Sequence, residues 1–172
     1  MHGCGGVGLS AVQIAVAVGA RVVAIDTSSG ALGLALELGA EHAVDGATDV
    51  PAAVAGLTGG GAHLSLDALG APLTCANSIR SLRPRGRHVQ VGLLPPESGR
   101  AEVPMERVIA LELQVLGSHG MAAHAYPELL ELIAVGRLDP GRLVTRELTL
   151  GEAGAAIGEV GRSPGIAVVT SF

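Results

Sequence analysis

The segment Gly3-Cys4-Gly5-Gly6-Val7-Gly8 decides the fold of this chain, because it fits the pattern G-x-G-x-x-G. An apolar, alanine-rich stretch follows and predicts a buried helix over residues 7–18, which Gly19 ends. A β-branched run then closes on Asp26, about twenty residues beyond the glycines. The order of glycine-rich turn, helix and acidic strand end is typical of a dinucleotide-binding unit.

Each glycine of this motif has a physical task. Gly3 allows the tight turn, Gly5 lets the backbone approach a pyrophosphate, and Gly8 lets the helix pack close to the sheet. The free N–H groups and the dipole of the helix start then favour the phosphates. Asp26 can accept hydrogen bonds from both ribose hydroxyls, which favours NAD over NADP because a carboxylate repels the 2′-phosphate. A glycine-rich turn without ligand, and an Asp26 that only caps a helix or loop, are the alternatives.

The rest of the chain alternates strands with helices. Helices are predicted over 29–38, 51–57, 72–82, 105–111, 127–135 and 152–160. Strands are predicted over 21–26, 41–45, 63–68, 87–91, 114–117, 143–150 and 166–170, with a turn at 84–86. This alternation predicts an α/β fold, a Rossmann-type doubly wound parallel sheet with helices on both faces. Only Met1 and His2 precede Gly3, so the sheet is expected to be truncated at its first, central strand.

Composition excludes several classes of function. The chain has 172 residues, of which 48% are hydrophobic, a composition that suits one folded core. The net charge is −5 and no basic run is present, so we expect no nucleic-acid partner. All 11 basic residues are arginine, and the lack of lysine excludes a Walker phosphate loop and a pyridoxal-phosphate Schiff base.

The cysteines and histidines indicate neither a disulfide nor a metal site. Cys4 and Cys75 form no CxxC pair, and together with the lack of a membrane segment they predict a cytoplasmic chain. The helix start beside Cys4 could lower the pKa of its thiol, although a small residue filling a turn is the simpler interpretation. His119 could orient a substrate or relay a proton, although an exposed loop histidine is simpler. The other histidines share no metal-ligand spacing.

Together these motifs resemble the zinc-type medium-chain alcohol dehydrogenase family. The resemblance rests on residues 3–17, 36–45, 58–70, 83–94 and 116–118, and it covers essentially the whole chain. It implies an NAD-binding Rossmann domain over residues 1–140 and a C-terminal segment, residues 141–172, that in the family returns to the catalytic domain. It also implies the cofactor-binding residues Gly3, Gly5, Gly6, Val7, Gly8, Asp26, Leu69, Gly70, Val91, Gly92, Leu116, Gly117 and Ser118. Of these, Leu69 and Gly70 would line the adenine side, and the last five would flank the nicotinamide.

The function implied by the resemblance is hydride transfer between a small alcohol or aldehyde and NAD. In the family an upstream domain supplies the cysteine, histidine and acidic ligands of the catalytic zinc, and nothing in this sequence replaces them. The isolated chain is therefore expected to be inactive. A zinc-free relative similar to the quinone oxidoreductases, and a catalytically silent nucleotide-binding or dimerisation module, are the alternatives.

Two further expectations come from the same resemblance. The family's sixth strand often pairs across a dimer, so a homo-oligomer is expected there. Many members carry basic residues where Ala31 and Ala167 stand in this chain, which predicts weaker cofactor binding.

Overall fold

Helices and strands alternate along the chain in the computed structural model, which describes residues 1–161 and 163–172. The helices are α1 (Gly6–Ala17), α2 (Ser29–Glu37), α3 (Val50–Thr58), α4 (Pro72–Arg80), α5 (Met105–Ala110), α6 (Tyr126–Ala134) and α7 (Leu150–Ile157). The strands are β1 (Val23–Asp26), β2 (His42–Asp45), β3 (Ala62–Asp67), β4 (Leu82–Gln90), β5 (Gln114–Gly117), β6 (Val144–Thr149) and β7 (Ile166–Ser171). Every predicted element is present, and most ends differ by only a few residues.

Local signals explain where the helices near the motif begin. Ser28 caps α2, because its hydroxyl accepts a hydrogen bond from the Ala31 N–H (3.3 Å). Asp49 caps α3 in the same way through the Ala52 N–H (3.1 Å). The α2 helix forms although it contains Gly30 and Gly33, because its apolar face packs on the sheet.

All strand pairs are parallel, and the first three residues join two groups of strands. β1 pairs with β2, and β3, β4 and β5 form a second group. His2 bridges the groups, since its N–H donates to the Leu66 carbonyl (2.8 Å) and its carbonyl accepts from the Ala68 N–H (2.9 Å). On the other side, the Gly3 N–H donates to the Ile25 carbonyl (2.9 Å). His2 therefore occupies, between β1 and β3, the position that the first strand of a Rossmann sheet holds.

A cavity of about 450 Å³ lies between β1 and β3, on the amino-terminal side of His2. Its apolar lining comes from α1, α3 and the two strands and includes Val12, Ala15, Val23, Val54 and Leu64. The Met1 ammonium donates to the Val23 carbonyl (2.8 Å) at this cavity, and its burial lowers its pKa to about 6. We call this space the central slot, because a middle strand would continue through it.

Three apolar clusters cover the two faces of the sheet. The first joins α1, α2 and β1 through Leu9, Val12, Ala24, Ala35 and Leu38. The second contains Ile25, Val44, Val50 and Val54. The third contains Cys75, Ile79, Leu82 and Leu113. Helices therefore cover both faces, as the doubly wound prediction requires.

The prediction of a turn at 84–86 was wrong, whereas the strand predicted over 87–91 is confirmed as the second part of β4. β4 starts at Leu82, which is fully buried and pairs with Ala62. The next pair is Leu64 with Arg87, so the residues between Leu82 and Arg87 form a bulge on β4. The bulge admits the proline and the left-handed Arg85 (φ 62°), while the buried Leu82 holds the strand start in the sheet.

The end of the chain forms a second, two-stranded sheet of β6 and β7, connected by α7. Residues before it hold this end against α1 and α2, since the Gln13 amide donates to the Asp139 carbonyl (2.7 Å) and Leu143 is buried in the first cluster. Among residues 1–161 and 163–172, no helix has the length and apolar character needed to cross a bilayer.

Candidate functional site

The glycine motif lies at the carboxyl end of the sheet, between the bridging residue His2 and α1. Gly3 adopts φ +83°, a left-handed conformation that favours glycine. A Cβ on Gly8 would lie 1.8 Å from the Gly3 carbonyl oxygen, so the first turn of α1 packs directly on the motif. Gly5 differs from both, because a Cβ built there meets no atom within 4 Å. The outer glycine positions therefore serve packing, whereas Gly5 borders open space.

The amino terminus of α1 faces this open space without a side-chain cap. Gly5 is its N-cap residue, and no side chain of the described residues accepts a hydrogen bond there. The N–H groups of the first turn have no acceptor within the helix. Together with the helix dipole, they form a positive surface suited to an anion.

Asp26 lies at the carboxyl end of β1 with its carboxylate against the motif, so its predicted position is confirmed. Its Oδ2 accepts the Cys4 N–H (2.7 Å) and its Oδ1 accepts the Ser28 N–H (2.8 Å). Each carboxylate oxygen has two lone pairs, so acceptor capacity remains for a ligand. The sequence did not indicate the second task of Asp26, which fastens the motif to β1.

The suggestion of a lowered pKa for the Cys4 thiol was wrong. The Cys4 side chain is fully buried beneath the motif and its Sγ contacts the Ile25 carbonyl (3.7 Å). Burial, and then the charge of Asp26, raise the pKa of this thiol to about 11. Burial also raises the pKa of Cys75. Neither cysteine therefore has a reactive thiolate near neutral pH.

The loops that follow β3 and β4 touch each other through their backbones. Gly70 has φ +81°, and a Cβ there would lie 2.0 Å from the Leu93 carbonyl oxygen. A Cβ on Gly92 would lie 2.4 Å from the Gly70 nitrogen, and one on Gly3 would lie 3.0 Å from the Leu69 nitrogen. Glycine at these three positions allows the motif and both loops to lie side by side.

Asp67 ties these loops together, and the sequence analysis did not identify it as a functional residue. Its carboxylate is fully buried and accepts the N–H groups of Leu69 (3.0 Å) and Gly70 (3.1 Å). It also accepts the Thr74 hydroxyl (3.1 Å) and the Gln90 amide (3.0 Å). Its position at the end of a buried strand before a small-residue turn repeats that of Asp26, and this repetition was the available signal.

The last predicted segment lies at the same edge, after β5. Leu116 pairs with Val89, and the Ser118 N–H donates to the Gln90 carbonyl (3.0 Å). All thirteen predicted residues thus lie in segments at or next to the carboxyl ends of parallel strands or at the start of α1. Several large apolar side chains along this edge are exposed, namely Val7, Leu69, Leu93 and Leu116. His119 is exposed in the next loop.

The described part of the chain does not provide a metal site. Within it, no three His, Cys, Asp or Glu side chains come close enough together to hold an ion. His2 and His88 are buried, and burial lowers the pKa of both, that of His2 to about 3.

The family model described as zinc-binding dehydrogenase matches residues 6–135. This chain belongs to the zinc-type medium-chain alcohol dehydrogenase family. The family prediction is therefore confirmed. The match includes the second half of the glycine motif from Gly6 onward, Asp26, Asp67 and the loops that follow β3, β4 and β5.

Individual relatives of this chain support its assignment to the dehydrogenase family. A geraniol dehydrogenase of Castellaniella defragrans is 40% identical over 157 residues, covering 90% of this chain and 38% of the relative. An NAD-dependent alcohol dehydrogenase of Sulfolobus acidocaldarius is 32% identical over 89% of this chain and 43% of its own length. The crystal structure of 2R,3R-butanediol dehydrogenase from Bacillus subtilis superposes with a TM-score of 0.86 at 29% identity, over 99% of this chain and 50% of that chain. The α/β fold of the Rossmann type is thereby confirmed, and this chain spans half or less of these relatives.

Ala31 and Ala167 stand where many family members carry basic residues, and the structure shows what surrounds each position. Ala31 is 5% exposed and packs into the first apolar cluster, so its small size serves the core. In the final strand, Ile166 rather than Ala167 lies against the motif, because a Cβ on Gly6 would meet the Ile166 side chain at 2.7 Å. The weaker cofactor binding predicted from the two alanines stays a prediction.

Proposed function

We propose that this dehydrogenase-family chain forms the NAD-binding part of an alcohol dehydrogenase. The observation that carries the proposal is the open space over Gly5, which the uncapped start of α1 and the Asp26 carboxylate both border. An anion over Gly5 and a ribose beside Asp26 match the diphosphate and the ribose of an adenosine diphosphate group. The family membership and the names of its relatives support the same assignment.

The residues present fit a dinucleotide. The pyrophosphate would receive N–H donors from Gly6 and Val7 at the helix start, with Gly5 leaving the room it needs. Asp26 would accept the ribose hydroxyls with its remaining lone pairs. The exposed side chains of Leu69 and Leu116 would offer apolar surface to the two ring systems.

In this mechanism the chain binds the cofactor and orients its nicotinamide ring. Bound NAD supplies the hydride acceptor of the reaction. The loops Leu69–Gly70 and Val91–Gly92, whose backbones pack together, would hold the two ends of the dinucleotide at a set separation. Leu116, Gly117 and Ser118 would flank the nicotinamide ring and shield one of its faces. The substrate, an alcohol or aldehyde, would approach the other face.

Catalytic zinc does not fit the residues of this chain. Zinc requires about three cysteine, histidine or carboxylate ligands, and the described residues bring no such group together. The division into residues 1–140 for the cofactor and 141–172 for contact with a catalytic domain is part of the proposal, as is a cytoplasmic location.

Cofactor preference tests the proposal. We expect the chain to bind NAD more tightly than NADP in a calorimetric titration, because Asp26 repels a 2′-phosphate. Asp26→Asn should reduce NAD affinity about tenfold and narrow this preference, since one charged acceptor is lost. Asp45→Asn is the matched control, because Asp45 ends the neighbouring strand and pairs with Asp26 in register. Equal or tighter NADP binding by the unmutated chain would overturn the assignment.

Metal content and turnover give a second test. We expect the purified 172-residue chain to hold no stoichiometric zinc and to form no NADH from primary or secondary alcohols. Residues 1–161 and 163–172 bring together no ligand set for the zinc that would assist loss of the alcohol proton. Metal analysis and NADH absorbance measure both. One tightly bound zinc per chain, or zinc-dependent NADH formation, would show that the chemistry resides in this part of the enzyme.

A dimerisation module is the second candidate, and β5 is the observation that favours it. All four residues of β5 are exposed, and this strand ends the sheet beside β4. An unpaired edge can extend a sheet across two copies. Analytical ultracentrifugation distinguishes a dimer from a monomer, and nucleotide titration of the same sample shows whether binding accompanies it.

A further inference from the structure

A line of buried polar side chains runs under the loops that follow β3 and β4. It consists of Ser65, Ser78, His88, Gln90 and Asp67. All except Gln90 are at most 3% exposed. Buried polar groups cost free energy unless they are hydrogen-bonded, so the direction of each bond matters.

The bonds of this line have one consistent direction. The Gln90 amide nitrogen donates to Asp67 Oδ2 (3.0 Å) and to the Gly92 carbonyl (2.8 Å), neither of which can donate. Gln90 Oε1 is therefore the acceptor for His88 Nε2 (3.2 Å), which must carry the ring proton. His88 Nδ1 then accepts from the hydroxyls of Ser65 (3.2 Å) and Ser78 (3.1 Å). Burial lowers the pKa of His88, which agrees with a neutral ring of this single tautomer.

The two oxygens of Asp67 serve different loops. Oδ1 accepts the N–H groups of Leu69 and Gly70 and needs no help from Gln90. Oδ2 reaches the loop after β4 only through Gln90, which links it to the Gly92 carbonyl. Independently of Gln90, the Val91 and Gly92 N–H groups donate to the Asp67 backbone carbonyl (2.9 and 2.8 Å), and the Thr74 hydroxyl donates to Oδ2 (3.1 Å). Loss of the Gln90 amide would therefore release only the side-chain hold on the Gly92 carbonyl, while the backbone bonds keep the loop beside β3 and Leu69 and Gly70 stay anchored.

We infer that Gln90, oriented by His88, is a positioning residue that fixes the orientation of the Gly92 carbonyl relative to Asp67 for the nicotinamide end of the dinucleotide. This inference rests on the proposed NAD binding. It predicts a selective effect, because the motif, Asp26 and the Leu69–Gly70 loop would bind the adenosine and phosphates without Gln90. ADP-ribose, which lacks the nicotinamide, separates the two ends of the site.

The first test compares NAD and ADP-ribose on a Gln90→Met variant. Methionine has a similar length but neither donates to Asp67 and Gly92 nor accepts from His88. We expect NAD affinity to fall about tenfold, as the three hydrogen bonds of the Gln90 amide are lost, while ADP-ribose affinity stays within about twofold. Both are measured by calorimetry at a temperature well below the unfolding transition. A merely structural role would weaken both ligands equally.

A Gln90→Glu variant adds a readout that depends on pH. When protonated, the introduced carboxyl group can donate to Asp67, whereas its ionised form would place two carboxylates side by side. The ratio of NAD to ADP-ribose affinity should be close to that of the unmutated chain near about pH 5.5 and fall several-fold by about pH 8. The other titratable groups near this line are His2, His88 and Cys75; burial lowers the pKa of both histidines and raises that of the thiol. The Met1 ammonium, whose pKa burial lowers to about 6, lies on the amino-terminal side of His2, away from both ligand ends, and acts alike on NAD and ADP-ribose. The unmutated chain should therefore show a flat ratio over this range.

Gln114→Met is the matched control, because Gln114 lies on β5 and accepts the Arg87 guanidinium (2.8 Å) at the exposed start of the strand. It should change neither affinity. If the unmutated chain binds neither NAD nor ADP-ribose, the proposed function fails. If that chain binds both and Gln90→Met leaves their ratio unchanged, the positioning role of Gln90 is refuted and NAD binding stands.

Discussion

A Gly5→Val substitution is expected to leave the chain folded and to reduce NAD affinity at least about a hundredfold, equivalent to roughly 3 kcal/mol of binding free energy. The Gly5 backbone has φ −75° and ψ −168°, an extended conformation that valine readily adopts. A Cβ there meets no protein atom within 4 Å. The added side chain would instead meet the ligand, since the pyrophosphate would occupy that space. The cost to folding should be limited to about 1 kcal/mol, because valine is a poorer N-cap than glycine.

Gly8→Ala should, by contrast, lower the stability of the folded chain. Its Cβ would lie 1.8 Å from the Gly3 carbonyl oxygen, so the motif or the helix must move. We expect a loss of about 2–4 kcal/mol in the free energy of unfolding, within the range for overpacked or strained sites. Gly56→Val in α3 is the control for Gly5→Val, since its Cβ also meets nothing within 4 Å and α3 lies away from the motif.

Urea unfolding and NAD titration of these three variants provide the measurements. The proposed site predicts that Gly5→Val lowers NAD affinity with little loss of stability. It also predicts that Gly8→Ala lowers stability and that Gly56→Val preserves NAD affinity. Normal NAD affinity in Gly5→Val would mean that no phosphate approaches the start of α1, and the assignment of the motif would be lost.

Filling the central slot should produce the largest gain in stability. We expect an added strand of four apolar residues before Met1 to raise the free energy of unfolding by about 2–4 kcal/mol, through burial and backbone pairing less the entropy of ordering. The strand would enter the 450 Å³ cavity between β1 and β3 and continue the pairing that His2 begins. A glycine–serine extension of equal length is the control, since it offers no apolar surface.

The pH dependence of stability gives a second readout of the same extension. Burial lowers the pKa of the Met1 ammonium to about 6 in the folded chain, from an ordinary value of 8.0. The unfolded chain therefore binds more protons between about pH 6 and pH 8, and stability rises with pH across this window. Extension converts the ammonium to an amide, so this part of the slope should disappear. A chain whose stability and slope are unaffected by the apolar extension would show that the slot does not accept a strand.

Much of the fold follows from local patterns. The glycine motif, the apolar run after it and the strand ending in Asp26 predict a βαβ unit, because each feature restricts the backbone within a few residues. The predicted bounds of β5, Gln114–Gly117, agree with the structure, because a helix ends before this segment and a loop follows it. The start of β4 could not be predicted, because a proline and a glycine suggest a turn locally. The burial of Leu82 against α4 and β3 overrides that signal.

The sequence alone determined the family, the parallel α/β fold and the place of Asp26 at a strand end facing the glycine motif. These features depend on residue types at short spacings, which are present in the sequence before any tertiary contact forms. Tertiary structure decided the rest: the Asp67–Gln90 connection, the backbone contact of Gly70 with Gly92, and the buried positions of Cys4 and Ala31. Those features join residues from separate strands and helices, and their burial and hydrogen-bond partners exist only once the parallel strands have brought their carboxyl ends to one edge.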